Sequence, residues 1–312
     1  ARTEDAELWD PTTATFSPAP PMRHSRGHSA TVVAFPDGRA LVVSGTRQNQ
    51  DHPGLVLKAE VWEPAKGAFE EAGSLPRRPI SIEAFALEDG SALLVQRPAR
   101  EWLRWDPSER QFEAVGRPDE PRDWVFPLAS GRVLTTGVRR DRADGDAELW
   151  IPRQGRFRPA GSFVFPRNTE SVTVLPDGGA LFYGGYDALA KDTTLFRTAE
   201  YWDPRSRSFS RAGRTEFGRE WHTATLLPDG RVAFVGGLLQ RQADRDSRVT
   251  GLIELWDPAS RSFSQAGQLS EPRALHKTVL LPDGSLLVLG GGDDDDELVP
   301  TAELWTAPPT TG

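Results

Sequence analysis

The chain has 312 residues, no cysteine, 37 basic against 45 acidic side chains, and a formal net charge of -8. That length suffices to bury a substantial core, the lack of cysteine removes disulfides, thiolate metal ligands and thiol nucleophiles, and the acidic balance argues against nucleic acid or an anionic membrane as partner. No apolar run reaches the roughly 18 to 20 residues of a spanning helix, and ARTEDAELWD lacks the basic start and apolar centre of a signal peptide. A cytoplasmic protein and one exported after loss of a leader both match this pattern.

From the N-terminus onward one phrase returns: AELWDP ending at Pro11, AEVWEP at Pro64, LRWDP at Pro107, AELWIP at Pro152, AEYWDP at Pro204, IELWDP at Pro258 and AELW at Trp305. The tryptophans Trp9, Trp62, Trp105, Trp150, Trp202, Trp256 and Trp305 are spaced by 43 to 54 residues. Six are followed by a phenylalanine, at Phe16, Phe69, Phe112, Phe157, Phe209 and Phe263. After each Phe come a Pro- or Gly-containing stretch, an Arg, an apolar run, a turn and a second apolar run. Each unit thus predicts four short strands. Pro36-Asp37-Gly38, Pro176-Asp177-Gly178, Pro228-Asp229-Gly230 and Pro282-Asp283-Gly284 supply turns in which Pro fixes φ and Gly allows it to be positive. With 26 prolines and 29 glycines, long helices are not expected.

A repeat of about 50 residues holding four strands is the size of one propeller blade. The Gly pairs Gly184-Gly185, Gly236-Gly237 and Gly290-Gly291, with an aromatic residue in the third and fourth strands, resemble the kelch repeat, with Trp at the usual Tyr position and Phe at the usual Trp position. The resemblance implies an all-β, six-bladed kelch-type β-propeller with four antiparallel strands per blade, formed by residues 1–312 as one domain. Closure is expected from both ends: Ala302 to Trp305 as third strand of the last blade, with the segment around Phe16 as its fourth and Ala6 to Trp9 peripheral. Pairing them would hide two sheet edges.

The repeats differ where the inner strand begins. Arg167, Arg219 and Arg273 are equivalent, and three residues after each stand Glu170, His222 and His276. The first repeat offers Arg26-Gly27-His28, the second Arg78-Pro79-Ile80 and the third Arg122-Asp123-Trp124-Val125. In kelch proteins this segment lies at one mouth of the central channel. The resemblance therefore gathers His28, Glu170, His222 and His276 into an arc suited to one divalent metal (zinc, iron, copper or manganese). The competing reading makes the histidines structural, hydrogen-bonded to backbone or to a neighbouring blade. No organic cofactor is indicated.

Trp124 and Trp221, beside Asp123 and Glu220, stand near the same mouth and suit a sugar-like or other small organic ligand, or else wedge between blades. Asn168 and Arg78 join them as ligand-binding candidates, and Glu220 and Asp123 as general bases. The other arginines are expected to pair bidentately with Glu60, Glu148, Glu200, Glu254 and Glu303; Arg78 has Leu103 in place of that partner. Two functions follow. One is a monomeric propeller holding a small molecule or a protein segment; the other is a metal-dependent enzyme acting on a small organic or sugar-like substrate. The copper radical oxidases of kelch-like fold need a Tyr-Cys crosslink, which a chain without cysteine does not form.

Overall fold

A computed structural model describes residues 4–10, 15–26, 30–44, 46–47, 54–77, 81–97, 101–118, 124–128, 131–137, 146–165, 167–187, 194–240, 247–295 and 297–309. Among these residues there is no α-helix; the regular elements are strands, with a 3-10 turn at Pro152–Gln154. The repeat is a four-stranded antiparallel meander. Ser171–Val174, Ala180–Tyr183, Thr198–Asp203 and Ser208–Arg214 form one in that order, and Thr223–Leu226, Val232–Val235, Leu252–Asp257 and Ser262–Gln268 form the next. Ala30–Ala34, Ala40–Ser44, Lys58–Glu63 and Ala68–Ser74 repeat the plan, as do Ser81–Ala86, Ala92–Arg97, Trp102–Asp106 and Gln111–Ala114. Sheets of this kind fit a propeller-like fold.

The chain divides into two compact units, residues Ala1–Pro121 with Trp150–Phe157, and Arg122–Leu149 with Arg158–Gly312. In the first unit, Val33, Leu41, Val43 and Val61 of one sheet pack on Ala92, Leu94 and Trp105 of the next. Strict alternation along each strand gives every sheet two such faces. Trp105 also donates its indole N–H to the Ala72 carbonyl at 3.0 Å, so the recurrent Trp both fills the interface and pins the preceding outer strand. Trp102, outside the sequence period, is buried against Trp150 and edge-on to Phe157.

The second unit uses the same contacts. Leu181, Tyr183 and Tyr201 meet Val232, Phe234 and Trp256, and Ala233, Val235 and Leu255 meet Leu286 and Val288. Trp202 and Trp256 donate to the carbonyls of Ala160 and Ala212 at 2.9 and 2.6 Å.

The ends differ from expectation. Ala302–Trp305 does take the third-strand place beside Leu286–Leu289, but among the described residues that sheet has three strands. Thr15–Ala19 is instead hydrogen-bonded to Ala6–Asp10, with Trp9 opposite Phe16 as Trp62 is opposite Phe69. The local hairpin wins because closing a short loop loses far less chain entropy than pairing segments almost the whole chain apart.

The arginine series is structural, as expected, but not bidentate. Arg26, Arg167, Arg219 and Arg273 each reach Glu60, Glu200, Glu254 and Glu303 through one nitrogen, at 2.7 to 2.9 Å. The other terminal guanidinium nitrogen goes to backbone carbonyls in or beside the strands: Ser44 for Arg26, Thr198 for Arg167, Gly236 and Leu252 for Arg219, Gly290 and Thr301 for Arg273. The glutamates in turn accept loop N–H groups, Val164 and Phe165 on Glu200, Ser270 and Glu271 on Glu303. A fork between carboxylate and backbone satisfies more buried groups than a closed pair could. Arg78, the member of the series without a glutamate, lies outside the described residues.

Candidate functional site

In the second unit the segments leading into the inner strands are themselves short strands. Arg167–Asn168 pairs with Tyr186–Asp187, and Gly218–Glu220 pairs with Leu238–Gln240, which pairs in turn with Ser247–Val249. The ends of the Leu238 to Thr250 insertion therefore stiffen this face. The Gly pairs make the close approach possible: Gly185 donates its N–H to the Arg219 carbonyl at 3.1 Å, and a Cβ there would stand 1.8 Å from the Asn168 carbonyl oxygen.

His222 and His276 are 8% and 3% exposed. Nε2 of His222 lies 2.8 Å from Oγ of Ser171, and Nε2 of His276 lies 3.0 Å from Oγ1 of Thr223, which also meets Oγ1 of Thr278 at 2.6 Å. A Ser–His contact of that length resembles an activated nucleophile. Its recurrence one repeat later with Thr in place of Ser marks it as a contact between repeats. Burial, then Arg219, then His276 push the His222 pKa well below 6.5. Burial and Arg273 bring His276 down to about 4. Both rings are neutral at neutral pH.

Beside them stand two carboxylates. Glu170 accepts the Trp221 N–H at 2.9 Å. Burial raises its pKa against that hydrogen bond, and burial followed by repulsion from Glu170 raises that of Glu220. Trp221 is 42% exposed at φ +56, and Leu275, hydrogen-bonded through its N–H to the Trp221 carbonyl at 3.0 Å, is 69% exposed at φ +57. Trp124 is half-buried and donates its indole N–H to Asn168 at 2.9 Å, and Asn168 donates to the Tyr186 hydroxyl at 2.6 Å.

Of the sequence candidates, the structure connects Glu170, Glu220, Trp221 and His222 through the Gly218–Glu220 segment, and ties Trp124 to Asn168. His28, Arg78 and Asp123 lie outside the described residues. Among the described residues no group of three His, Cys, Asp or Glu is placed to hold a metal ion. Leu275, Tyr186 and the hydroxyls of Ser171 and Thr223 are not read from the sequence. Leu275 had a signal, standing at the same offset from Arg273 as Trp221 from Arg219; the hydroxyls had none, because they bond across repeats.

The fold and site define an all-β array of four-stranded meanders carrying a polar, aromatic face at the start of the inner strands. No protein-family model matches the chain. It is similar to galactose oxidase of Gibberella zeae, at 24% identity over 286 residues, which make up 89% of this chain and 37% of that protein. A second galactose oxidase sequence from that species matches to the same degree. The chain thus spans well under half the length of these curated relatives. A fungal alcohol oxidase of the AA5 family, in complex with copper, aligns over 97% of this chain and 67% of its own with a TM-score of 0.66 and 17% identity. At that identity the likeness is one of fold. No helix among the described residues is long and apolar enough to cross a membrane.

Proposed function

We propose that the chain is the propeller of a metal-dependent, oxidase-type enzyme that takes a small alcohol or sugar-like substrate at the face carrying Glu170, Glu220 and Trp221. In this reading the repeats are six kelch-type blades of a single monomeric domain. The observation that carries the substrate half is Trp221, a large aromatic ring left 42% exposed beside two carboxylates whose ionisation burial disfavours. Burial makes such a carboxylate a stronger proton acceptor toward a substrate hydroxyl than one in water. The likeness to galactose oxidase and to a copper-bound alcohol oxidase supports an enzyme over a passive scaffold.

The metal half rests on the donor set. A Tyr-Cys copper centre does not fit: the chain has no cysteine, and the three tyrosine hydroxyls bond Thr215, Asn168 and Asp177. A simple divalent ion suits imidazole and carboxylate donors better. His222 is neutral, its Nε2 is supported by the Ser171 hydroxyl, and its buried Nδ1 has no hydrogen-bond partner. Ligating imidazoles commonly have such support on the other nitrogen. Among the described residues no three such donors come together, and of the expected set His222 is therefore the one proposed to hold such an ion, which when bound would polarise a substrate oxygen. Glu220 would act as the proton acceptor, and Asn168 with Trp124 would border the substrate.

A second reading is favoured by one observation, the repetition of the His–hydroxyl contact in two successive repeats. There the histidines only clamp repeats together and the face binds a ligand without an ion. Elemental analysis of protein purified without an affinity tag separates the two. One ion per chain, lost in His222→Ala with the fold retained by circular dichroism, supports the enzyme; metal-free protein after incubation with each of zinc, iron, copper and manganese leaves the binding module.

A further inference from the structure

Three side chains of the second unit form a line in which each hydrogen bond dictates the next. Trp124, half-buried, donates its indole N–H to the side-chain oxygen of Asn168 at 2.9 Å. An indole N–H only donates, so the amide oxygen faces it and the amide nitrogen is left to face elsewhere. That nitrogen meets the Tyr186 hydroxyl at 2.6 Å. The phenol oxygen is therefore the acceptor in this contact, and its own hydrogen is left for a third group. Among the described residues none takes it. The other two tyrosines of the chain differ: the Tyr183 and Tyr201 hydroxyls meet Thr215 and Asp177.

Tyr186 is carried by the segment that touches the candidate site. Its backbone pairs with Asn168, and it directly follows Gly184-Gly185. A Cβ on Gly184 would lie 2.8 Å from Cε1 of His222 and 3.2 Å from Cβ of Glu170, and one on Gly185 would lie 3.1 Å from the Glu170 backbone nitrogen. The phenol is half-buried, not sealed in the core. We infer that Tyr186 donates a hydrogen bond to the carbonyl oxygen of the bound ligand, and that Trp124 and Asn168 are positioning residues that keep the phenol hydrogen free for it. This rests on the oxidase-type reading proposed above and deepens it. Oxidation moves two hydrogens from the alcohol to dioxygen, giving hydrogen peroxide, and turns a hydroxyl oxygen that both donates and accepts into a carbonyl oxygen that only accepts. An ionised carboxylate has no hydrogen to offer such an oxygen, whereas a phenol has one. A donor already aimed by its neighbours also loses less freedom on binding.

The test is an NMR titration of the full chain carrying isotope-labelled tryptophan, read on the indole N–H signals. The probes are N,N-dimethylacetamide, a carbonyl compound that accepts hydrogen bonds and donates none, and separately n-butanol. Tyr186→Phe is expected to weaken dimethylacetamide by about fivefold or more, the loss of one hydrogen bond, and n-butanol by less, since the alcohol keeps its own bond to Glu220. Trp124→Phe leaves the phenol in place but frees the Asn168 amide to turn its oxygen onto the phenol hydrogen, and Asn168→Asp takes that hydrogen on a carboxylate of the same size. Both are expected to weaken dimethylacetamide as much as Tyr186→Phe does, and the Trp124→Phe, Tyr186→Phe double variant to be no worse than either single one. Unchanged dimethylacetamide affinity in Tyr186→Phe overturns the proposal. A loss there with none in folded Trp124→Phe or Asn168→Asp overturns the positioning roles. Equal weakening of both probes together with a lowered Tm makes the three residues structural and overturns it as well. Wild-type protein that binds n-butanol but not dimethylacetamide overturns this inference and leaves the alcohol reading standing; protein that binds neither overturns both.

Discussion

Nε2 of His222 meets Oγ of Ser171 at 2.8 Å, and the same contact joins His276 to Thr223 in the following repeat at 3.0 Å. Each imidazole is thus a neutral peg set into the repeat before it. The consequence for pH can be worked out for His276, whose pKa falls from 6.5 to about 4 on folding. Between those values the unfolded chain binds a proton that the folded chain refuses. The stabilisation is complete above pH 6.5 and is lost as pH falls toward 4. Urea midpoints should drop between pH 7 and pH 4.5, and His276→Gln should flatten that slope.

The arginine forks predict a sharp asymmetry between single and double variants. Arg219 and Glu254 have side chains 0% and 10% exposed. Arg219→Met leaves a buried carboxylate without its cation, at a cost of about 3 to 5 kcal/mol. Adding Glu254→Leu removes that charge and should recover much of the loss, as read from chemical denaturation.

Two glycines in positive φ predict different penalties for the same substitution. Gly185 sits at φ +77 with the Asn168 carbonyl oxygen 1.8 Å from where a Cβ would lie, whereas Gly230 at φ +89 has nothing within 4 Å. Gly230→Ala should lose about 1 kcal/mol to backbone strain alone. Gly185→Ala should lose several times more and displace the Arg167–Asn168 segment, visible as a fall in Tm much larger than that of Gly230→Ala.

Much of this was legible in the sequence because it repeats. The Trp period marked the meanders, the Pro-Asp-Gly turns marked their inner hairpins, and the pairing of Arg167 with Glu200 and Arg219 with Glu254 could be anticipated from fixed offsets. What one-dimensional spacing did not carry was competition. The hairpin of Ala6–Asp10 with Thr15–Ala19 displaced the expected pairing of Phe16 with the last sheet because both partners were plausible and only proximity decided. The hydroxyls that receive His222 and His276 were also hidden, since Ser171 and Thr223 look like ordinary strand residues.

Glu220 predicts a trade between stability and function. Burial and Glu170 raise its pKa on folding, so its destabilising effect is absent below the unfolded value and grows as pH rises through the folded one. Glu220→Gln should match wild type in Tm near pH 4 and exceed it at pH 8.

The most direct test of the account is turnover. Untagged chain equilibrated in turn with zinc, iron, copper and manganese is supplied with dioxygen as the two-electron acceptor and assayed for carbonyl product and hydrogen peroxide from galactose and small primary alcohols, beside metal-stripped protein and Glu220→Gln. The account predicts carbonyl and peroxide only with a redox-active ion (iron, copper or manganese) present, none with zinc, which has no redox chemistry, and a large loss in Glu220→Gln. Absence of product with every ion, from wild-type protein that remains folded, would contradict it.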